Sequence, residues 1–109
     1  MLPQVHRLPA KEFPSLLRYG VRVHTDVVDI RYAKRMDTTR VGFIITKSVD
    51  KRATRRNRLK RVLSEQIRLT LGKRDPRIDA IFIMRKPISQ DKRISEVITP
   101  LFQSIVHSI

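Results

Sequence analysis

Two short apolar runs, VGFIIT at 41–46 and IDAIFIM at 78–84, bracket one long amphipathic stretch. Each run has strand length, and the first, nearly continuous in apolar residues, is expected to be a well-buried strand. Between them Leu59, Val62, Leu63, Gln66, Ile67 and Thr70 recur at intervals of three and four. That spacing predicts a helix over about 54–71, ended at Gly72, with aliphatic residues along one side. A loop at 47–52 leads into it and KRDPR (73–77) leads out. If the flanking strands are neighbours they run parallel, with the helix crossing the sheet between them.

The rest of the chain fits around this unit. Val28, Ile30 and Tyr32 alternate with Asp29 and Arg31, the pattern of a strand with one buried face. A brief strand near 21–23 precedes it, and MDTTR (36–40) is a turn. A short helix over 12–19 carries Phe13, Leu16 and Leu17 on one face, with Pro14 in its first turn and Gly20 as a left-handed stop. The Pro-rich residues before it are expected to be extended. From about 91, Ile94, Val97, Ile98, Leu101, Phe102, Ile105, Val106 and Ile109 keep helical spacing. Pro100 predicts a kink or restart there, capped by Thr99. A length of 109 residues, 40% apolar, suits a single domain over 1–109. The expected fold class is α+β: a single-domain α/β sandwich with one small mixed sheet and helices packed on it.

Charge narrows the function. Lys and Arg number 24 against 10 acids, a formal net charge of +14. Such an excess implies a polyanionic partner, either nucleic acid or an anionic membrane surface. The apolar runs are too short to span a bilayer. The first residues lack a signal-peptide apolar region, so a cytoplasmic protein is expected. With no cysteine there is no disulfide, thiolate metal site or Cys nucleophile. The three histidines, His6, His24 and His107, lie in separate segments without ligand spacing, and no glycine loop cradles a phosphate. The sequence therefore offers no catalytic residue and no metal site of its own.

The cations concentrate where a helix least favours them. ATRRNRLKRVL (53–63) holds Arg55, Arg56, Arg58, Lys60 and Arg61 and no acid. A helix N-terminus carries partial positive charge, so each exposed cation there costs a few tenths to ~1 kcal/mol. Phosphates would remove the conflict by accepting from the free N–H groups and offsetting the cations. A merely solvated basic face is the alternative, and the global charge weighs against it. On a helical wheel Asn57, Arg58, Arg61, Ser64, Glu65 and Arg68 share the outer side, with Arg56 and Lys60 on an edge. Phe43, Phe82 and Phe102 read as core; Phe13 and Tyr32 suit either core packing or stacking on unpaired bases.

ATRRNRLKR (53–61) resembles the RNR signature of the bacterial ribonuclease P protein subunit. RVGFIITKSVDKR (40–52) is similar to the strand and loop before that signature, and IFIMRKP (81–87) to the family's later strand. HRL (6–8), EF (12–13) and Gly20 match its N-terminal pattern. The resemblance covers nearly the whole chain. It implies a four-stranded sheet and three helices, with a left-handed crossover as in ribosomal-protein-like domains. It implies a non-catalytic subunit of the endoribonuclease that matures the 5′ end of tRNA, whose catalyst is an RNA with bound Mg2+. The implied partners are that RNA and precursor tRNA, with neither DNA nor membrane. The implied contacts to the catalytic RNA are Lys51, Arg52, Arg56, Asn57, Arg58, Lys60, Arg61 and Arg68. The implied contacts to the precursor-tRNA leader are Phe13, Leu17, Tyr32, Lys47 and Arg85. Leu17 stands where an aromatic is common. Ser64 stands where an arginine is common, with Arg68 on the expected outer face as its substitute. A ribosomal-type RNA-binding scaffold without a processing role is the alternative.

Overall fold

The computed structural model describes residues 2–86 and 91–108, with side chains in the last helix limited to 96, 99–105 and 107. Pro87, Ile109 and the side chains of Ile94, Val97, Ile98 and Val106 lie outside the described residues. The helices are α1 (Phe13–Tyr19), α2 (Ala53–Lys73) and α3 (Asp91–Ser108). The strands are β1 (Val21–His24), β2 (Val28–Lys34), β3 (Arg40–Ile44) and β4 (Ile78–Met84), joined in the order β1-β2-β4-β3. The β1–β2 and β2–β4 pairs are antiparallel, and β3–β4 is parallel. The strand–helix–strand unit read from the sequence is therefore a pair of adjacent parallel strands linked through α2.

The parity of β4 divides the core. Ile78, Ala80, Phe82 and Met84 point to one face, with Val28, Ile30 and Val41 beside them and Leu59, Leu63 and Ile67 of α2 above. Phe102 and Ile105 of α3 join this cluster, and the Phe82 ring lies 5.9 Å from those of Phe43 and Phe102. Ile81 points to the other face, where Leu8 and Leu16 bury it with Phe13, Leu17, Ala33, Ile44 and Ile83 around them. So β4 is apolar on both sides because both are covered, by α2 and α3 on one and by α1 on the other.

Several local expectations are corrected. The N-terminal residues form two 3-10 turns, Gln4–His6 and Ala10–Glu12, and Leu8 N–H donates to the Val41 carbonyl (3.0 Å), so this segment flanks β3. Gly20 is extended (φ −70°), not left-handed; an added Cβ would lie 2.6 Å from the Leu16 carbonyl oxygen, so it serves the tight passage from α1 into β1. Gly72 does not end α2, which runs on to Lys73; Pro76, which cannot continue a helix, follows two residues after the extended Arg74. The loop after it is held by Asp75, which accepts from Thr39 N–H (3.1 Å), Thr39 Oγ1 (2.5 Å) and Arg77 N–H (2.8 Å). That hold keeps Arg77 in the left-handed region (φ 57°). Helix α3 runs through Pro100 without restarting, and the Thr99 hydroxyl is buried with no partner among the described residues, so it caps nothing.

One correction bears on function. Asp29 is only 5% exposed. The face of β2 expected to meet solvent is instead packed by α1 and by a cluster of charges.

Candidate nucleic-acid interface

Helix α2 opens with no acidic residue in its first turn and no side-chain cap. Local compensation is partial. Arg56 turns back, and its guanidinium donates to the carbonyls of Asp50 (2.9 Å) and Lys51 (3.1 Å). Arg56 is thus half-buried and closes the loop as well as carrying charge. Arg55 lies 3.9 Å from the Asp50 carboxylate. Lys51, Arg52, Asn57, Arg58, Lys60 and Arg61 are exposed.

The wheel placed Ser64 on the outer side; the structure buries it to 8%. Thr54, Asn57, Arg61 and Ser64 follow intervals of three and four and turn toward β3, not outward. They line one side of a cavity of about 550 Å3 that reaches round the edge of β3, with Phe43 on the α2 face and Leu8 and Phe13 on the other. Arg68, four residues beyond Ser64, continues these intervals but does not line the cavity. It is exposed and paired with Glu65 (2.5 Å).

On the opposite face of the sheet, α1 is pinned at its start. Arg40 donates to both carboxylate oxygens of Glu12 (2.8 and 2.9 Å) and to both of Asp79 (2.9 and 2.7 Å), which holds its proton more tightly than an ordinary arginine. Phe13, the next residue after Glu12, then brings its ring tip against Gly42; a Cβ there would sit 2.3 Å from Cζ. Leu17 follows one turn later on the same face.

Beyond Leu17 the strands supply charge that sequence reasoning missed. Asp29 binds His24 Nδ1 and Arg85 (3.1 Å), and Arg22 lies 3.7 Å away. Arg31 reaches the Leu17 carbonyl (3.5 Å) and leaves a buried Nε without a partner among the described residues. Two arginines and a histidine thus gather on one buried carboxylate, with Arg31 nearby against the end of α1. The hairpin register that pairs Arg22 with Arg31 and His24 with Asp29 was the available signal, across the turn at 25–27.

Of the five leader residues, Phe13 and Leu17 share a cluster, and Arg85 joins the Asp29 group at the end of β4. Lys47 is exposed in the loop after β3. Tyr32 is a correction: the parity that buries Val28 and Ile30 carries it to the α2–α3 face, away from Phe13 and Leu17.

Burial pushes the Asp29 carboxyl up, but hydrogen bonds from His24 and Arg85 outweigh it and hold it below the usual range. Asp75 is likewise depressed: burial raises it, but hydrogen bonds from the Thr39 hydroxyl and the Arg77 and Thr39 N–H groups outweigh that. A depressed carboxyl stabilises the fold above its unfolded value, about 3.9, and loses that contribution as pH falls through the folded value. Urea melts are therefore expected to show a stability loss below about pH 4. Asp29→Asn should flatten it, and an unchanged acid slope in that variant would remove Asp29 from the cause.

Among the described residues no helix is long and apolar enough to cross a membrane, and no three His, Asp or Glu side chains converge as a metal site.

The sequence model of the Ribonuclease P family matches residues 2–105. A ribonuclease P protein component of Synechococcus elongatus is 28% identical over 106 residues, spanning 92% of this chain and 87% of its own. One from Nitrosomonas europaea is 30% identical over 90 residues, spanning 72% of this chain and 66% of its own. Among solved structures, a Staphylococcus aureus RNase P protein superposes with a TM-score of 0.81 at 19% identity, covering 91% of this chain and 94% of its own. The Thermotoga maritima RNase P protein gives 0.67 at 24% identity, covering 94% and 92%. These structures share the fold: three helices on a mixed four-stranded sheet. With its sheet order, its RNR helix and a match along nearly its whole length, this chain belongs to the ribonuclease P protein family.

Proposed function

We propose that the chain acts in the cytoplasm as the RNA-positioning subunit of a ribonuclease P, on the substrate side of tRNA 5′ maturation. Its α2 surface, with Lys51, Arg52, Asn57, Arg58, Lys60 and Arg61, binds the catalytic RNA; Arg56 anchors the loop that presents them, and Arg68 lies further along the helix. The α1 side of the sheet takes the single-stranded leader of precursor tRNA, with Phe13 and Leu17 as apolar contacts and Arg31, Arg85 and Lys47 toward its phosphates. Tyr32, on the other face, has no part in that contact.

The observation that carries this reading is the cationic opening of α2, which carries no acid in its first turn. Arginine forks pair with phosphate oxygens, lysine supplies a point charge, and each neutralised phosphate releases counterions. In this reading the hydrolytic chemistry belongs to Mg2+ held by the RNA, and the protein holds no cofactor. The side chains of the protein bind, orient and screen charge, which lowers the metal concentration the RNA requires.

The test is reconstitution with the ribonuclease P RNA of the same organism. At low magnesium, added protein is expected to stimulate precursor-tRNA cleavage strongly, with the benefit shrinking as magnesium rises. No stimulation across the titration would leave an RNA-binding scaffold as the better description.

A further inference from the structure

Asp29 is the charged residue that the proposed leader contact leaves unused, and it sits among the cations of that contact. It is 5% exposed, in register with His24 of β1 and Ile83 of β4. One carboxylate oxygen bonds His24 Nδ1; the other accepts from the Arg85 guanidinium (3.1 Å) and lies 3.7 Å from that of Arg22. The acid is buried, but the side chains of Arg85 and Arg22 stay 47% and 50% exposed. Arg85 commits its Nη1 to Asp29 and keeps the rest of its fork for a second acceptor. The backbone beneath is fixed as well. Arg85 N–H donates to the Val27 carbonyl (2.7 Å), and Thr25 Oγ1 closes the β1–β2 turn on the Val28 carbonyl (2.8 Å). A buried ion pair gains little stability over an apolar pair of the same shape, so fold stability alone does not account for a carboxylate here. An arginine loses rotamer freedom when a phosphate immobilises it, and one already held loses less.

We propose that Asp29 is a positioning residue for the leader: it holds the Arg85 guanidinium, with that of Arg22 beside it, in the arrangement that receives a leader phosphate. The inference rests on the reading that the α1 face takes the leader. It adds Asp29 as the group that orders the cations there and Arg22 as a further contact. The opposite role is that of a competitor, a carboxylate that neutralises the arginines until phosphate displaces it. Burial argues against that role. A carboxylate displaced from Arg85 would stay buried with one partner fewer, a costly state. The half-exposed guanidinium groups can instead bind outward while Asp29 keeps its hold from beneath. The two roles predict opposite signs when the charge is removed.

The test is the affinity of the reconstituted holoenzyme for precursor tRNA with a long leader and for a leader-short one, across a salt series. Asp29→Asn is expected to lower the ratio of the two affinities about fivefold, the scale for ordering one long side chain. The salt slope for the long leader should stay the same, because the same phosphates are still met. In an Arg85→Met background the substitution should change the ratio by less than about twofold. A loss of equal size in both backgrounds would make Asp29 merely structural and overturn the proposal. A tighter long-leader complex with a steeper salt slope would make it a competitor and overturn it too. Should Asp29→Asn fail to fold, NMR of the wild-type chain still tests the hold. Hindered rotation of the Arg85 guanidinium is expected, and averaged Nη signals would overturn the proposal. A wild-type holoenzyme indifferent to leader length would retire the leader reading itself. A leader effect intact in Asp29→Asn would retire only the role of Asp29.

Discussion

Replacing Arg40 with methionine is expected to lower the unfolding free energy by about 2–3 kcal/mol, the low end for breaking a buried ion pair because a fifth of the side chain is exposed. Arg40 joins Glu12, at the entry to α1, to Asp79 on β4, with two hydrogen bonds to each carboxylate. Among the described residues, removing it leaves Asp79 with Arg35, at 3.3 Å. Glu12, 39% exposed, returns to water at little cost. Glu12→Gln should therefore cost less than about 1 kcal/mol. Because Phe13 follows Glu12, both variants should also weaken leader-dependent substrate affinity, Arg40→Met more. Urea melts giving equal losses for the two variants would show that Arg40 is no more than a surface pair.

Gly42→Ala is expected to destabilise the fold by about 1–3 kcal/mol, a large effect for one methyl group. The added Cβ would lie 2.3 Å from Cζ and 2.5 Å from Cε1 of Phe13, distances at which the ring must leave. The residue before it, Glu12, is held by Arg40, so relief has to come from rotation of the ring away from Gly42 and out of its packing with Leu8 and Leu16. Phe13→Ala should cost part of its usual penalty in the wild-type chain and much less once Gly42 is alanine. The double variant is thus expected to be more stable than the sum of the singles. Additive losses would mean that the ring does not rest on Gly42. In cleavage assays Gly42→Ala and Phe13→Ala should both reduce affinity for a substrate with a long leader more than for a leader-short one.

The large pieces of the fold were legible because burial writes directly into sequence. The strand β4 is apolar at six of its seven positions, and the α2 stripe Leu59, Leu63 and Ile67 sits where its spacing put it. What failed was local polarity used as a guide to exposure. Ser64 is small and polar, so the wheel placed it outside; it is buried because a small residue fits under the groove beside β3. Asp29 and Arg31 alternate with apolar residues, which reads as a solvent face. Their real environment comes from α1 and from His24, Arg22 and Arg85, contacts that only the hairpin register and the β4 end create. Tyr32 shows the converse: strict parity with Val28 and Ile30 already carried it to the core face. At the start of α2, the electrostatic conflict was read correctly from the charges, but part of the answer was local. Arg56 folds back on the Asp50 and Lys51 carbonyls, a contact that no spacing rule predicts.

What everything here depends on is that the cations left along α2 are matched by RNA phosphates. The direct measurement is the affinity for the ribonuclease P RNA as a function of salt. With roughly 5–8 phosphates neutralised, the logarithm of the binding constant should fall against the logarithm of salt with a slope of about −4 to −7. Lys60→Ala and Arg61→Ala should each make that slope shallower by about one while leaving the melting temperature unchanged. A binding constant that hardly responds to salt, or a slope untouched by either substitution, would contradict it.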